Sequence, residues 1–244
     1  MIVETWLKPM RPMLAEWVRE EDWELLTNFE RSLSEIAKDQ TQSQPLQAKV
    51  SLASQGYAMV DVDGHRGGKG RSPILQALIQ FVCGYHDLDY RDVAHVGHGR
   101  MIILHGSDQQ RTFWIPKMAT GSLVGVAATE AHGGSKIQNT RTTVTSSGKT
   151  PFLTGEKVYI SRIKEAEVFV VFFKFEKDET LSAALIDLAR QGVKTELWQP
   201  LGLGGWSWVK SFLKTLHLPS KTYSARGVRE PRSSKSTLST TDQW

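Results

Sequence analysis

A single cysteine, Cys83, stands in 244 residues. That excludes an internal disulfide and leaves no second thiol to share a metal, so a reducing compartment, the cytoplasm, fits best. A buried, inert thiol is the expectation. Long apolar runs are absent too: none approaches the roughly 20 residues of a membrane helix, and the first residues lack the basic-then-apolar order of an export signal. Neither insertion nor export is expected. No internal repeat is visible, which excludes a propeller or solenoid. The seven histidines lack metal-ligand spacing, and His95, His98 and His105 have no cysteine or carboxylate set beside them, so no metal is expected. The glycine-rich stretch Gly64 to Arg71 (GHRGGKGR) lacks the GK[ST] ending of a phosphate loop and reads as a structural turn.

The chain has ample apolar material, 40% hydrophobic and 9% aromatic residues, enough for one sizeable core or two modest ones. Its net charge of +4 comes from basic residues after Lys210, and charges before that point nearly balance. Nucleic acid is therefore not an expected partner of the main body. From Met10 to Lys38, apolar residues at helical spacing (Leu14, Trp17, Val18, Leu25, Leu26, Phe29, Leu33, Ile36) predict two amphipathic helices. The polar stretch Asp39 to Gln44 marks a connection, and further helices are predicted over Leu46 to Gln55, from Pro73 to about Gly84, and from Asp108 to a break at Pro116. After Gly121 the period changes to two. Leu123 to Ala127, Thr140 to Thr145, Pro151 to Leu153, Val158 to Ile160, Val168 to Phe175 and Leu181 to Ile186 read as strands. The predicted fold class is α+β: an all-α N-terminal domain over residues 1–121, then an antiparallel β-barrel or sandwich over 122–208.

The segment Val126 to Ser135, VAATEAHGGS, lies where helix gives way to strand. Hydroxyls at Thr129 and Ser135, with Gly133 and Gly134 permitting close backbone approach, suit an anionic or heteroaromatic ligand. A plain turn would carry the same residues. The wider order is more specific: HGSDQQRTFWIPKMATG, TEAHGGS, FLTGEKVYIS, AEVFVVFF, SAALID and LGLGGW follow one another as in the acyl-CoA dehydrogenase family. The resemblance is good from about His95 to Gly205 and looser before Arg91.

That resemblance implies FAD as cofactor. The loop matching Val126, Ala128, Thr129, Gly134 and Ser135 wraps the flavin, with the Thr129 hydroxyl at the isoalloxazine edge and Ser135 near cofactor or substrate phosphates. Tyr159, Ile160 and Ser161 match an aromatic-Ile-hydroxyl triplet whose ring packs on the flavin and whose hydroxyl approaches N5. The chain departs from the family in having Ala131-His132-Gly133-Gly134-Ser135-Lys136 where Pro-X-Ala-Gly-Ser-Asp is usual, which changes the charge beside the loop and removes a proline. His132 reads as a solvated loop residue.

The family's reaction is α,β-desaturation of an acyl thioester, on CoA or a carrier protein, with electrons passed to an acceptor flavoprotein and with homo-oligomers as the working form. Its base is a glutamate of a C-terminal helical domain; Glu130 does not match it, and no catalytic residue is assigned in this chain. After Trp208 the resemblance ends in a polar, basic tail, 209–244. Read one base out of frame, codons allowed for the residues from Ser211 onward can spell FxEDVxxPLKDLLGEG, then KIFKEHF, then YYRP, in family order. The expectation is a frameshift near Trp208 to Phe212, a truncated, inactive dehydrogenase and a disordered tail. An inert or flavin-binding remnant, a tail-mediated interaction protein, a carrier-protein-linked dehydrogenase and a flavin oxidase of the same superfamily stay open.

Overall fold

The computed structural model describes residues 1–39, 43–147, 150–176, 181–189, 192–213 and 215–218. Part of the expected connection at Asp39 to Gln44 and residues 219–244 of the expected tail lie outside them.

The N-terminal segment is a run of short helical turns ending in α1 (Arg11–Leu14). It is tied down by Glu30, whose buried carboxylate accepts hydrogen bonds from the amides of Ile2 at 2.6 Å and Val3 at 2.9 Å. The anchor sits on α2 (Glu20–Lys38). This helix buries Trp23, Leu26, Phe29, Leu33 and Ile36 at three- and four-residue spacing, and its acidic first turn complements the helix dipole. Prolines open α3 (Pro45–Ser54) and α4 (Pro73–His86), where a missing amide costs nothing. The Ser72 hydroxyl caps α4 by accepting from Ile74 N at 3.1 Å. A short α5 (Arg100–His105) precedes α6 (Asp108–Ala119), whose start is a reciprocal capping box between Ser107 and Gln110. The helix does not break at Pro116 as expected. It runs three residues further because the Thr120 hydroxyl donates to the Lys117 carbonyl at 2.9 Å and closes the last turn.

The switch to strands follows Gly121, whose φ of +103° lets the chain turn. The strands are β1 (Leu123–Ala127), β2 (Thr143–Ser147), β3 (Thr150–Thr154), β4 (Lys157–Ser161), β5 (Ala166–Phe175), β6 (Leu181–Ile186), β7 (Thr195–Trp198), β8 (Trp208–Phe212) and β9 (Thr215–His217). The larger sheet runs β1-β5-β2-β3-β9 with β6 also on β5, and the smaller is β4-β8-β7. The α+β order holds, but the larger sheet is mixed: β5 runs parallel to β1 and to β2 and antiparallel to β6. The near-continuous apolar sequence of β5 is what a strand covered on both faces requires. Phe169, Val171 and Phe173 join a core with Leu26, Phe29 and Phe212, while Val168 and Val170 pack with Ile102, Ile103 and Met118. In each of these two clusters helical and sheet residues pack together.

The disorder expected from residue 209 does not hold for residues 209–213 and 215–218. β8 pairs with β4 and β7, β9 pairs with β3, and Val209, Phe212, Leu213, Leu216 and Leu218 are buried. Enough apolar side chains recur there to close both sheets.

Candidate functional site

β1 delivers the polar loop. Val126, Ala128 and Thr129 are half-buried as the strand ends, and Gly134 and Ser135 are exposed beyond it. Glu130 and Gly133 exchange backbone hydrogen bonds of 3.1 and 2.9 Å, which folds the loop back on itself. A Cβ on Gly134 would stand 3.0 Å from both Oγ1 and Cγ2 of Thr129, so the two residues meet closely and a side chain there would press on the Thr129 side chain. The Thr129 carbonyl accepts from Val158 N at 2.9 Å and joins the loop to β4.

On β4, Tyr159 has a φ of +57°, a strained conformation for a bulky residue and one that clusters at functional sites. The residue is 58% exposed. Its ring lies 5.6 Å from the Trp198 ring, which is 6.3 Å from Trp208. Ile160 instead points into the core, so only its backbone is available to a ligand. Ser161 is half-buried, and its hydroxyl accepts from Arg162 Nη1 at 2.8 Å. The fold therefore joins the two sequence-predicted segments through one backbone bond, with Thr129, Gly134, Tyr159 and Ser161 at or near the surface. Open loop backbone, hydroxyls and an uncovered aromatic face suit a planar heteroaromatic group with a polar edge.

Sequence reasoning missed the charged frame behind this face. Lys157 is fully buried, and its ammonium donates to Glu130 Oε1 at 2.8 Å, Thr140 Oγ1 at 2.8 Å and the Ala128 carbonyl at 3.3 Å. Glu130 also accepts from the Thr140 hydroxyl, from Arg141 N at 2.7 Å, and from Thr142 N and Oγ1 at 2.9 and 2.6 Å. Burial opposes its ionisation, but Lys157, Thr140, Thr142 and the Arg141 amide together hold its pKa at about 2. Burial pulls Lys157 down from the usual lysine range, against the pull of Glu130. A carboxylate held this way does not serve as a base near neutral pH. The one available sequence signal was an acid in the loop and a lysine opening β4, with two strands between. His132 is exposed, its Nε2 3.0 Å from the Asn139 carbonyl and its Nδ1 3.6 Å from Glu130 Oε2.

A second frame lies beyond Ser161. Arg162, also at positive φ (+66°), pairs with Asp92 of the helical part, stacks 5.0 Å over Trp206, and donates its amide to the Ser207 carbonyl at 2.6 Å. Burial, with the neighbouring Arg91, lowers its pKa to about 10. Among the described residues no group of His, Cys, Asp and Glu could hold a metal, and no helix is long and apolar enough to cross a membrane.

Helices feeding a curled mixed sheet whose first strand ends in this loop define an α+β protein with the acyl-CoA dehydrogenase fold. Residues 125–215 match the model of the acyl-CoA dehydrogenase middle domain. A probable acyl-CoA dehydrogenase of Bacillus subtilis is 35% identical over 147 residues, 57% of this chain and 24% of that protein. The mouse mitochondrial very long-chain specific acyl-CoA dehydrogenase is 31% identical over 144 residues, 57% of this chain and 22% of that protein. The glutaryl-CoA dehydrogenase of Mycobacterium smegmatis, solved with FADH2, superposes with a TM-score of 0.74 at 17% identity, over 84% of this chain and 55% of that one. The chain is thus similar to the acyl-CoA dehydrogenases, over the middle domain in particular, and it spans about a quarter of the length of those two curated relatives.

Proposed function

We propose that this chain carries the flavin-binding face of an FAD-dependent acyl-thioester dehydrogenase that desaturates its substrate between the α and β carbons. The observation that carries the reading is Tyr159: a strained, outward-turned ring on β4, bonded through Val158 N to the loop that bears Thr129 and Gly134. FAD would supply the hydride acceptor. Tyr159 would cover the ring system, Ser161 and Thr129 would offer hydroxyls to its edge, and Val126, Ala128, Gly134 and Ser135 would line the approach with backbone and small side chains. Ile160 would contribute backbone alone. The Glu130–Lys157 pair keeps loop and strand in register and takes no part in proton transfer. In this reading the α-proton is removed by a carboxylate other than Glu130, which the family resemblance puts in a C-terminal helical domain.

The substrate is an acyl group on CoA or on a carrier protein, the electron acceptor a second flavoprotein, and the working form a homo-oligomer. The buried, lone Cys83 suits the cytoplasm. Turnover of acyl thioesters with an electron-accepting dye tests the reading, for this chain and for a version with the frame restored after resequencing the codons of Gly205 to Lys214. Flavin-dependent turnover on restoring the frame is the expected result. A restored-frame protein that binds FAD yet turns over no acyl thioester would refute the dehydrogenase reading.

A further inference from the structure

The smaller sheet has an aromatic surface that the family-matched residues do not use up. β7 is exposed along its whole length; Leu197 is 62% and Trp198 41% exposed, and Leu201 just beyond is fully exposed. The Trp198 ring stands 5.6 Å from Tyr159 at a tilt of 54°, and Trp208 meets Trp198 edge-on at 6.3 Å and 90°. A tryptophan on a solvent-facing strand loses favourable burial unless something covers it. Trp208, half-buried, anchors Trp198 from behind, with its indole N–H donating to the Leu203 carbonyl at 3.3 Å. Trp198 is thus held in place while its own face stays open beside the Tyr159 ring.

We infer that Trp198 is a flavin-contacting residue, forming with Tyr159 a two-ring platform on which the isoalloxazine rests. This rests on the proposed flavin reading and extends it to a strand, β7, that the sequence resemblance did not assign to the site. The tilt between the two rings gives the platform an open angle, and a third ring can meet one by stacking and the other by its edge, both favoured arrangements. Trp198 acts by positioning the ring system and has no part in proton transfer.

The test is titration of FAD into the full chain, with binding followed by calorimetry and by the circular dichroism induced in the visible flavin band. The variants are W198A, W198F and Y159A, each first checked for an unchanged far-ultraviolet spectrum. Loss of one aromatic contact weakens binding roughly 3- to 10-fold. The expected result is that W198A weakens binding by that factor and alters the induced band, while W198F stays close to wild type. If W198A binds like wild type while Y159A binds weakly, the flavin reading stands and the role of Trp198 is overturned. If W198A binds more tightly, Trp198 is a cover over Tyr159 and the inference is equally wrong. If the folded wild-type chain takes up no FAD, the flavin reading itself falls and the inference with it.

Discussion

Replacing Glu130 by Gln tests the charged frame behind the candidate site. The wild-type carboxylate receives hydrogen bonds from Thr140 Oγ1, Arg141 N, Thr142 N, Thr142 Oγ1 and Lys157 Nζ. A glutamine keeps the size but leaves the Lys157 ammonium, with a fully buried side chain, without a counter-charge. Breaking a buried pair from one side costs about 3–5 kcal/mol. For a chain of this size that lowers the melting temperature by roughly 6–20 °C. K157M removes the other partner and leaves the carboxylate its four remaining donors, so it should cost less, about 1.5–3 kcal/mol. The double variant should lie closer to K157M than the sum of the two single losses. Urea unfolding followed by tryptophan fluorescence gives all three values. The acid limb adds a second reading. The folded pKa of Glu130, about 2, lies below its ordinary 4.5, so its stabilisation is complete above pH 4.5 and is lost as pH falls from there towards 2. E130Q should have a flatter dependence in that window. A loss below about 1 kcal/mol for E130Q, or a K157M variant less stable than E130Q, would refute the reasoning.

Two other buried groups make their own predictions. Burial, with the nearby Arg162 charge, lowers the Lys49 amine to about 8 from 10.5; the unfolded chain therefore binds the proton more readily, and stability should rise between pH 8 and 10.5 by on the order of 3 kcal/mol. K49M should abolish that rise, and equal pH profiles for the two proteins would contradict it. Cys83 is buried with its thiol pushed up to about 12 by burial, so a thiol reagent at pH 8 should label it only after denaturant is added; prompt labelling of the native protein would count against the core packing of α4.

Much of the fold was legible because local rules and tertiary burial agree. The helices α2, α3 and α4 and the strands β1, β5 and β6 carry apolar periodicity and stop signals that match their environment. Strand direction was not legible: alternation in β1 and β2 is the same whether β5 runs with or against them, and only the connections decide. The strands β7, β8 and β9 were missed for different reasons. β7 is exposed throughout and has no apolar alternation to read, and β8 and β9 sit where the sequence loses its family pattern yet keeps enough apolar residues to pair. At the site, Thr129, Gly134 and Tyr159 were visible as a loop and an aromatic triplet. The contact between them was not, since it runs through the Thr129 carbonyl and Val158 amide, groups every residue carries. Trp198 was invisible because its significance is its distance to Tyr159, across 39 positions of chain.

The parallel pairing of β1 with β5 has a kinetic consequence. Leu123 lies beside Ala166 and Ala127 beside Val171, so the chain between them must close as one long loop before that ladder forms, and such closure slows folding. Both the Thr129–Ser135 loop and the Tyr159–Ser161 segment lie inside that enclosed stretch. Neither can take its final place as a local unit; the proposed ligand face emerges only when the two strands zip together. Occupancy of the face by a chromophoric ligand would then serve as a clock for sheet closure, read in real time during refolding.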